Sequence, residues 1–127
     1  MQRDFGVALV LQDQSWTPNP GELSRKLDPI TAGWTYIRWL GDRKGIEKVT
    51  RTWNRTVIDR TNEMTGWVDV CYETVRRVVT VFGYANNHYA GHAPATIRQF
   101  RDVSSAKSFP ALWQPARRSP EPMLFDL

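Results

Sequence analysis

Apolar residues fall in short blocks along this chain, and the spacing within each block differs. Residues 5–11, Phe-Gly-Val-Ala-Leu-Val-Leu, are a continuous apolar run that predicts a short buried strand. Residues 34–40, Trp-Thr-Tyr-Ile-Arg-Trp-Leu, are rich in aromatic and β-branched types and predict a second. A third is expected over 78–85, which opens Val-Val-Thr-Val-Phe. Between the last two the period changes. Trp67, Val70, Cys71, Thr74, Val75 and Val78 recur at helical spacing, predicting a helix over 63–77 started by Thr61 or Asn62. Pro94 stands at the head of a second helical stretch, 95–103, with Ile97 and Phe100 three apart. Residues 17–33 hold Pro18, Pro20, Gly21 and Pro29 and read as loop, with one or two helical turns over 21–27. Residues 46–58 are mixed and polar, with weak helical character.

Strands that alternate with helices imply an α/β fold with a parallel sheet. All strands of such a sheet end on one side. Residues 13–16, 41–43 and 86–92 are therefore expected to share a rim, which is where α/β folds hold their ligands. The folded unit is placed at 1–105. Pro110, Pro115, Pro120 and Pro122 mark 106–127 as a proline-rich tail.

Composition narrows the function classes. An apolar fraction of 41% excludes wholesale disorder. A net charge of +4 suits a small anionic ligand or weak attraction to nucleic acid. Arg51, Arg55, Arg60, Arg76, Arg77, Arg98, Arg101, Arg117 and Arg118 read as scattered rather than as one stripe, which counts against the latter. Cys71 is the only cysteine, so an intrachain disulfide is excluded, and its helical setting suggests an inert buried thiol. No apolar run is long enough to cross a membrane, and residues 1–4 lack a signal peptide's build. The default expectation is a cytoplasmic protein with no membrane partner. Asn54-Arg55-Thr56 matches a glycosylation sequon, read here as chance. No glycine-rich phosphate loop, nucleophile elbow or paired cysteines occur in the sequence, so neither a cofactor nor a bound metal is expected.

Candidate chemistry gathers at the expected rim. Arg38 is a charge inside an aromatic strand expected to be covered on both faces, with Tyr36 and Leu40 on its own face and Ile37 and Trp39 on the other. A buried guanidinium needs a counter-charge. Either it clamps an anion, or it pairs with Asp13 or Asp42, or it occupies an exposed edge position. Asp42 is a candidate metal ligand or general base and Arg43 a candidate partner for a phosphate or carboxylate, or Gly41-Asp42-Arg43 is simply a solvated turn. Asn86 and Asn87 offer donors and acceptors in fixed geometry, or are simply turn formers. His88 and His92, the only histidines, have the i, i+4 spacing of a zinc helix, which Gly91 and Pro94 disfavour; otherwise they are candidates for proton transfer or are hydrogen-bonded loop residues. Tyr89 either stacks on a ligand or covers the core. Trp16 either stacks on a sugar or base, or closes the mouth of the fold.

Two segments, Tyr36-Ile37-Arg38-Trp39-Leu40-Gly41-Asp42-Arg43 and Asn86-Asn87-His88-Tyr89-Ala90-Gly91-His92-Ala93-Pro94, resemble the YecE-like family, the domain of unknown function 72. The match covers about residues 5–103, with Arg38, Gly41, Asn86, Asn87 and Gly91 on its motifs. Asp42, His88 and His92 fit one branch of the family. The resemblance implies a TIM-barrel-like fold of about twice this length, of which this chain looks like the carboxyl half, with about three parallel strands. A half-barrel calls for an amino-half partner or a homodimer. It supplies positions and no reaction. Three functional classes stay open. One is a hydrolase or lyase in which Arg38 holds an anionic substrate and Asp13, Asp42 or His88 moves protons. The second is a nucleic-acid-binding protein. The third is a non-catalytic fragment that needs its other half.

Overall fold

Three strands pair in chain order into one parallel sheet: β1 (Val10–Gln14), β2 (Trp34–Gly41) and β3 (Thr80–Ala85). The structure is a computed structural model that describes residues 2–26, 28–77 and 79–107. Between and after the strands run α1 (Pro20–Lys26), α2 (Arg43–Glu47), α3 (Thr61–Arg76), α4 (Asn87–Ala90) and α5 (Ala93–Ser105). The chain is thus mixed α/β with a parallel sheet, as strands alternating with helices require.

Register decides which side chains share a face. Leu11, Ile37 and Gly83 lie side by side across the sheet, as do Gln12, Arg38 and Tyr84, then Asp13, Trp39 and Ala85. Thr35, Ile37 and Trp39 are buried on one face. There they meet Leu11, Met64, Trp67, Val68, Cys71, Tyr89, Ala90 and Phe100 in one core. Trp39 packs edge-on against Trp67 at 6.1 Å and beside Phe100 at 5.4 Å. Burial of each large apolar side chain of this kind contributes about 1.5–3 kcal/mol. The buried stripe of α3 is Met64, Trp67, Val68, Cys71, Thr74 and Val75. It includes Met64 and Val68, which the expected stripe lacked, while Val70 is only half-buried.

The opposite face is bare of any described element. Val10, Trp34, Phe82 and Tyr84 are exposed on it, with Phe82 at 46% and Tyr84 at 54%. Tyr36 stacks on Tyr84 with ring centroids 4.8 Å apart, and Trp34 meets Phe82 edge-on at 6.3 Å. The expectation that β2 is covered on both faces therefore fails for the described residues.

Other boundaries move too. The apolar run at 5–11 is not the first strand. A 3-10 turn occupies Gln2–Phe5, Phe5 is 77% exposed, and the strand begins only at Val10. Its place follows from pairing with Tyr36–Trp39, which an aperiodic run cannot reveal. The third strand begins at Thr80, two residues late. Arg60, not Thr61 or Asn62, holds the cap position of α3; Thr61 instead bonds through its N–H and hydroxyl to the Asp59 carboxylate. α5 outruns its expected limits at both ends, with Pro94 in its first turn. Val78 and most of the expected tail, 108–127, lie outside the described residues.

Candidate functional site

The three rim segments do come together, and backbone contacts lock them. The Asn86 N–H donates to the Trp39 carbonyl at 2.9 Å as β3 leaves the sheet. Gly41 ends β2 with φ +74°, and a Cβ there would sit 2.6 Å from the His88 carbonyl oxygen. Only glycine fits such a close, left-handed turn. Gly91 closes α4 at φ +118°, where a side chain would strike the Arg55 carbonyl. The Val57 and Ile58 N–H groups both donate to the Ala90 carbonyl, at 2.7 and 3.1 Å.

The sheet splits the expected site in two. On the bare face a cavity of about 390 Å³ is lined by Arg38, Asn86 and Asn87 with Tyr36, Leu40 and Tyr84. Arg38 is exposed there and has no ion pair among the described residues, with Asp13 and Asp42 both engaged elsewhere or remote from its face. The Asn86 side-chain oxygen accepts from the His88 N–H at 3.1 Å and lies 2.8 Å from His88 Nδ1. That of Asn87 accepts from the Ala93 N–H at 2.7 Å. Backbone N–H groups can only donate, so both amide oxygens are fixed and both NH₂ groups are left over. Neither NH₂ group nor the Arg38 guanidinium has a partner among the described residues. What these three side chains still offer is chiefly donors, with one lone pair left on the Asn87 oxygen.

Asp13 faces the helices. Its Oδ2 accepts from Trp67 Nε1 at 2.6 Å and from the Tyr89 hydroxyl at 2.8 Å. Tyr89 is fully buried, so it covers the core. Burial first, then the Asp13 charge and hydrogen bond, push its phenol far above the ordinary range. The Arg60 guanidinium lies over the Tyr89 ring at 4.7 Å, and its Nε donates to the Tyr89 carbonyl at 2.9 Å. Glu63 stands 3.5 Å from it. Asp13, Ser15, Gly41, Asp42, Arg60 and Glu63 enclose a second cavity of about 160 Å³.

The remaining candidates are placed around the rim. Arg43 donates to Glu47 at 2.9 Å in an exposed pair, and that hydrogen bond holds the Glu47 carboxyl below its ordinary range. His88 lies in α4 rather than in a loop, 3.6 Å from Glu47 and with its ring 4.7 Å from Trp53. His92 Nδ1 meets the Trp53 carbonyl at 3.0 Å. Trp16 is 77% exposed and does not close the fold.

The family model described as "Protein of unknown function DUF72" matches residues 1–121. The chain belongs to the DUF72 family. No curated protein and no solved structure matches it. Membership agrees with the resemblance carried by residues 36–43 and 86–94, and the geometry gives several residues of those segments a physical role. Gly41 and Gly91 stand where a side chain would collide with the facing backbone. Asn86 and Asn87 each satisfy a backbone N–H where a helix begins. Arg38, Asn86 and Asn87 of this DUF72 chain share one cavity, whereas Asp13 and Asp42 line another across the sheet. Arg60, Glu63 and Trp53 carried no sequence signal that set them apart. Tyr36 did, through its alternation with Arg38.

Proposed function

We propose that this DUF72 domain binds a small anion on the bare face of its sheet, between Arg38 and the Asn86–Asn87 amides. One observation carries the reading: both amide oxygens are held by backbone N–H groups, so the cavity is lined by a guanidinium and two amides whose NH₂ groups are left over. Such a set matches carboxylate or phosphate oxygens. In this reading the bare face is the inner wall of a partial β/α barrel, and its exposed aromatics are the surface that further strands would cover. Binding is favoured over hydrolase or lyase chemistry. Asp13, with its Oδ2 held by Trp67 and Tyr89, lies across the sheet from an anion on Arg38.

The test is an NMR titration with inorganic phosphate, and separately with acetate, on the full chain. Saturable shifts of the Arg38 Nε–H and the Asn86 and Asn87 NH₂ signals are expected. Arg38→Ala should abolish them while leaving the urea midpoint unchanged. Equal saturation in Arg38→Ala would overturn the proposal.

A further inference from the structure

One segment of this chain carries a marked surplus of positive charge. Segment 43–55 holds five basic residues, Arg43, Lys44, Lys48, Arg51 and Arg55, against one acid, Glu47. That surplus of four equals the net charge of the whole chain, +4, so the remainder is balanced. Some of the scattered arginines are neutralised locally, since Arg60, Arg76 and Arg77 pair with Glu63, Glu73 and Asp28. Among the described residues, Arg43 is the one basic residue of the segment that is paired, with Glu47. Lys44, Lys48, Arg51 and Arg55 are exposed and have no acidic partner among the described residues.

The segment is also built into the rim. Ile46 is fully buried beneath it. The Thr50 N–H returns to the Ile46 carbonyl at 3.0 Å, and the Trp53 carbonyl meets His92. Just beyond it, Val57 and Ile58 are tied to Ala90. Trp16 is exposed just after β1, and its chain neighbour Ser15 lines one cavity with Asp42, the residue before the segment. An anchored segment with four exposed cations, and an exposed indole at the same end of the sheet, suit a flexible chain of phosphates with unpaired flat rings.

We propose that segment 43–55 and Trp16 form a docking surface for single-stranded nucleic acid. Lys44, Lys48, Arg51 and Arg55 contact phosphates, and Trp16 stacks on a base. An unpaired strand is favoured over a duplex because indole stacking needs a base free of its partner. The surface is independent of the anion cavity at Arg38.

The experiment is fluorescence anisotropy of a labelled twelve-nucleotide oligo-dT with the full chain. Four phosphate contacts predict a log–log salt slope of about −2.8, hence roughly a fiftyfold loss of affinity between about 50 and 200 mM salt. Replacing the four cations together (Lys44→Gln, Lys48→Gln, Arg51→Gln, Arg55→Gln) should abolish binding and the slope. Trp16→Ala should weaken it about tenfold. Arg98→Gln with Arg101→Gln, two exposed charges on α5, should change it less than threefold. Circular dichroism confirms that each variant is folded. The proposal is overturned by absent binding at low salt, by equal losses in the four-cation and α5 variants, or by retention of polyglutamate or phosphatidylserine vesicles without oligo-dT.

Discussion

Tyr89 and Asp13 lie 76 residues apart in the chain and meet at 2.8 Å, on the same carboxylate oxygen that takes the Trp67 indole N–H. The contact ties the end of β1 to α3 and α4. Trp67 and Tyr89 are both buried, so neither donor has ready access to water if the carboxylate is removed. An unsatisfied buried donor costs about 1–3 kcal/mol, and Asp13→Ala leaves two. Urea unfolding should show a loss of about 3 kcal/mol, with Asp13→Asn losing less because one acceptor remains. A midpoint for Asp13→Ala equal to that of the parent would mean that water reaches both donors.

Gly41→Ala is expected to cost about 2–4 kcal/mol. It adds a methyl 2.6 Å from the His88 carbonyl oxygen and forces a left-handed φ on alanine. Gly33→Ala is the control, since nothing lies within 4 Å of a Cβ there. Its melting temperature should match or slightly exceed the parent's. Similar losses in both would remove the steric argument.

Asn87→Asp separates capping from ligand binding. The carboxylate still accepts from the Ala93 N–H, so stability should change by less than about 1 kcal/mol, whereas Asn87→Ala should lose about that much. Yet Asp replaces the free NH₂ donor with an anion. Phosphate affinity should fall at least tenfold by the NMR titration. Unaltered affinity in Asn87→Asp would place the anion elsewhere.

Alkaline stability should report on Cys71. Burial pushes its thiol up to about 12 from an ordinary value of 9.0. The folded pKa is the higher one, so this contribution is complete below pH 9 and is lost as pH climbs towards 12. In that window the unfolded state sheds a proton the folded state keeps, and stability should drop about 1.4 kcal/mol per pH unit. Tyr89 adds the same trend only above about pH 10, the ordinary tyrosine value. Cys71→Ala should therefore flatten the curve between pH 9 and 10, measured by urea unfolding. An unchanged slope there would exclude the thiol as its source.

The bare aromatic face should make the chain self-associate. Light scattering should give a mass above 14.7 kDa that rises with concentration. Phe82→Lys, on an exposed site of that face, should return it to 14.7 kDa. A parent that stays monomeric throughout would show that the face tolerates water.

Much of this was legible from the sequence where the signal is local. The aromatic and β-branched residues 34–40 gave β2 nearly to the residue, and alternation put Arg38 with Tyr36 and opposite Trp39. The turn chemistry of Asn86 and Asn87 was legible because Asn binds its own neighbourhood. The first strand was not, since Phe5 to Leu11 has no period and only pairing to β2 reveals that the strand is Val10–Gln14. That shift hid a functional point. With Asp13 in the strand its side chain turns to the helices, away from Arg38. Arg60 over Tyr89 was equally hidden, because its partner lies 29 residues on and no spacing rule reaches that far.

Segment 43–55, which follows the carboxyl end of β2, carries a surplus of four positive charges. A protein whose cations gather on one rim is drawn to a polyanion by that rim. In the field of a polyanion it would turn before it touches, presenting the rim that holds Trp16. Productive encounters should then be frequent in dilute salt and rare in concentrated salt, even for contacts whose lifetime is the same in both.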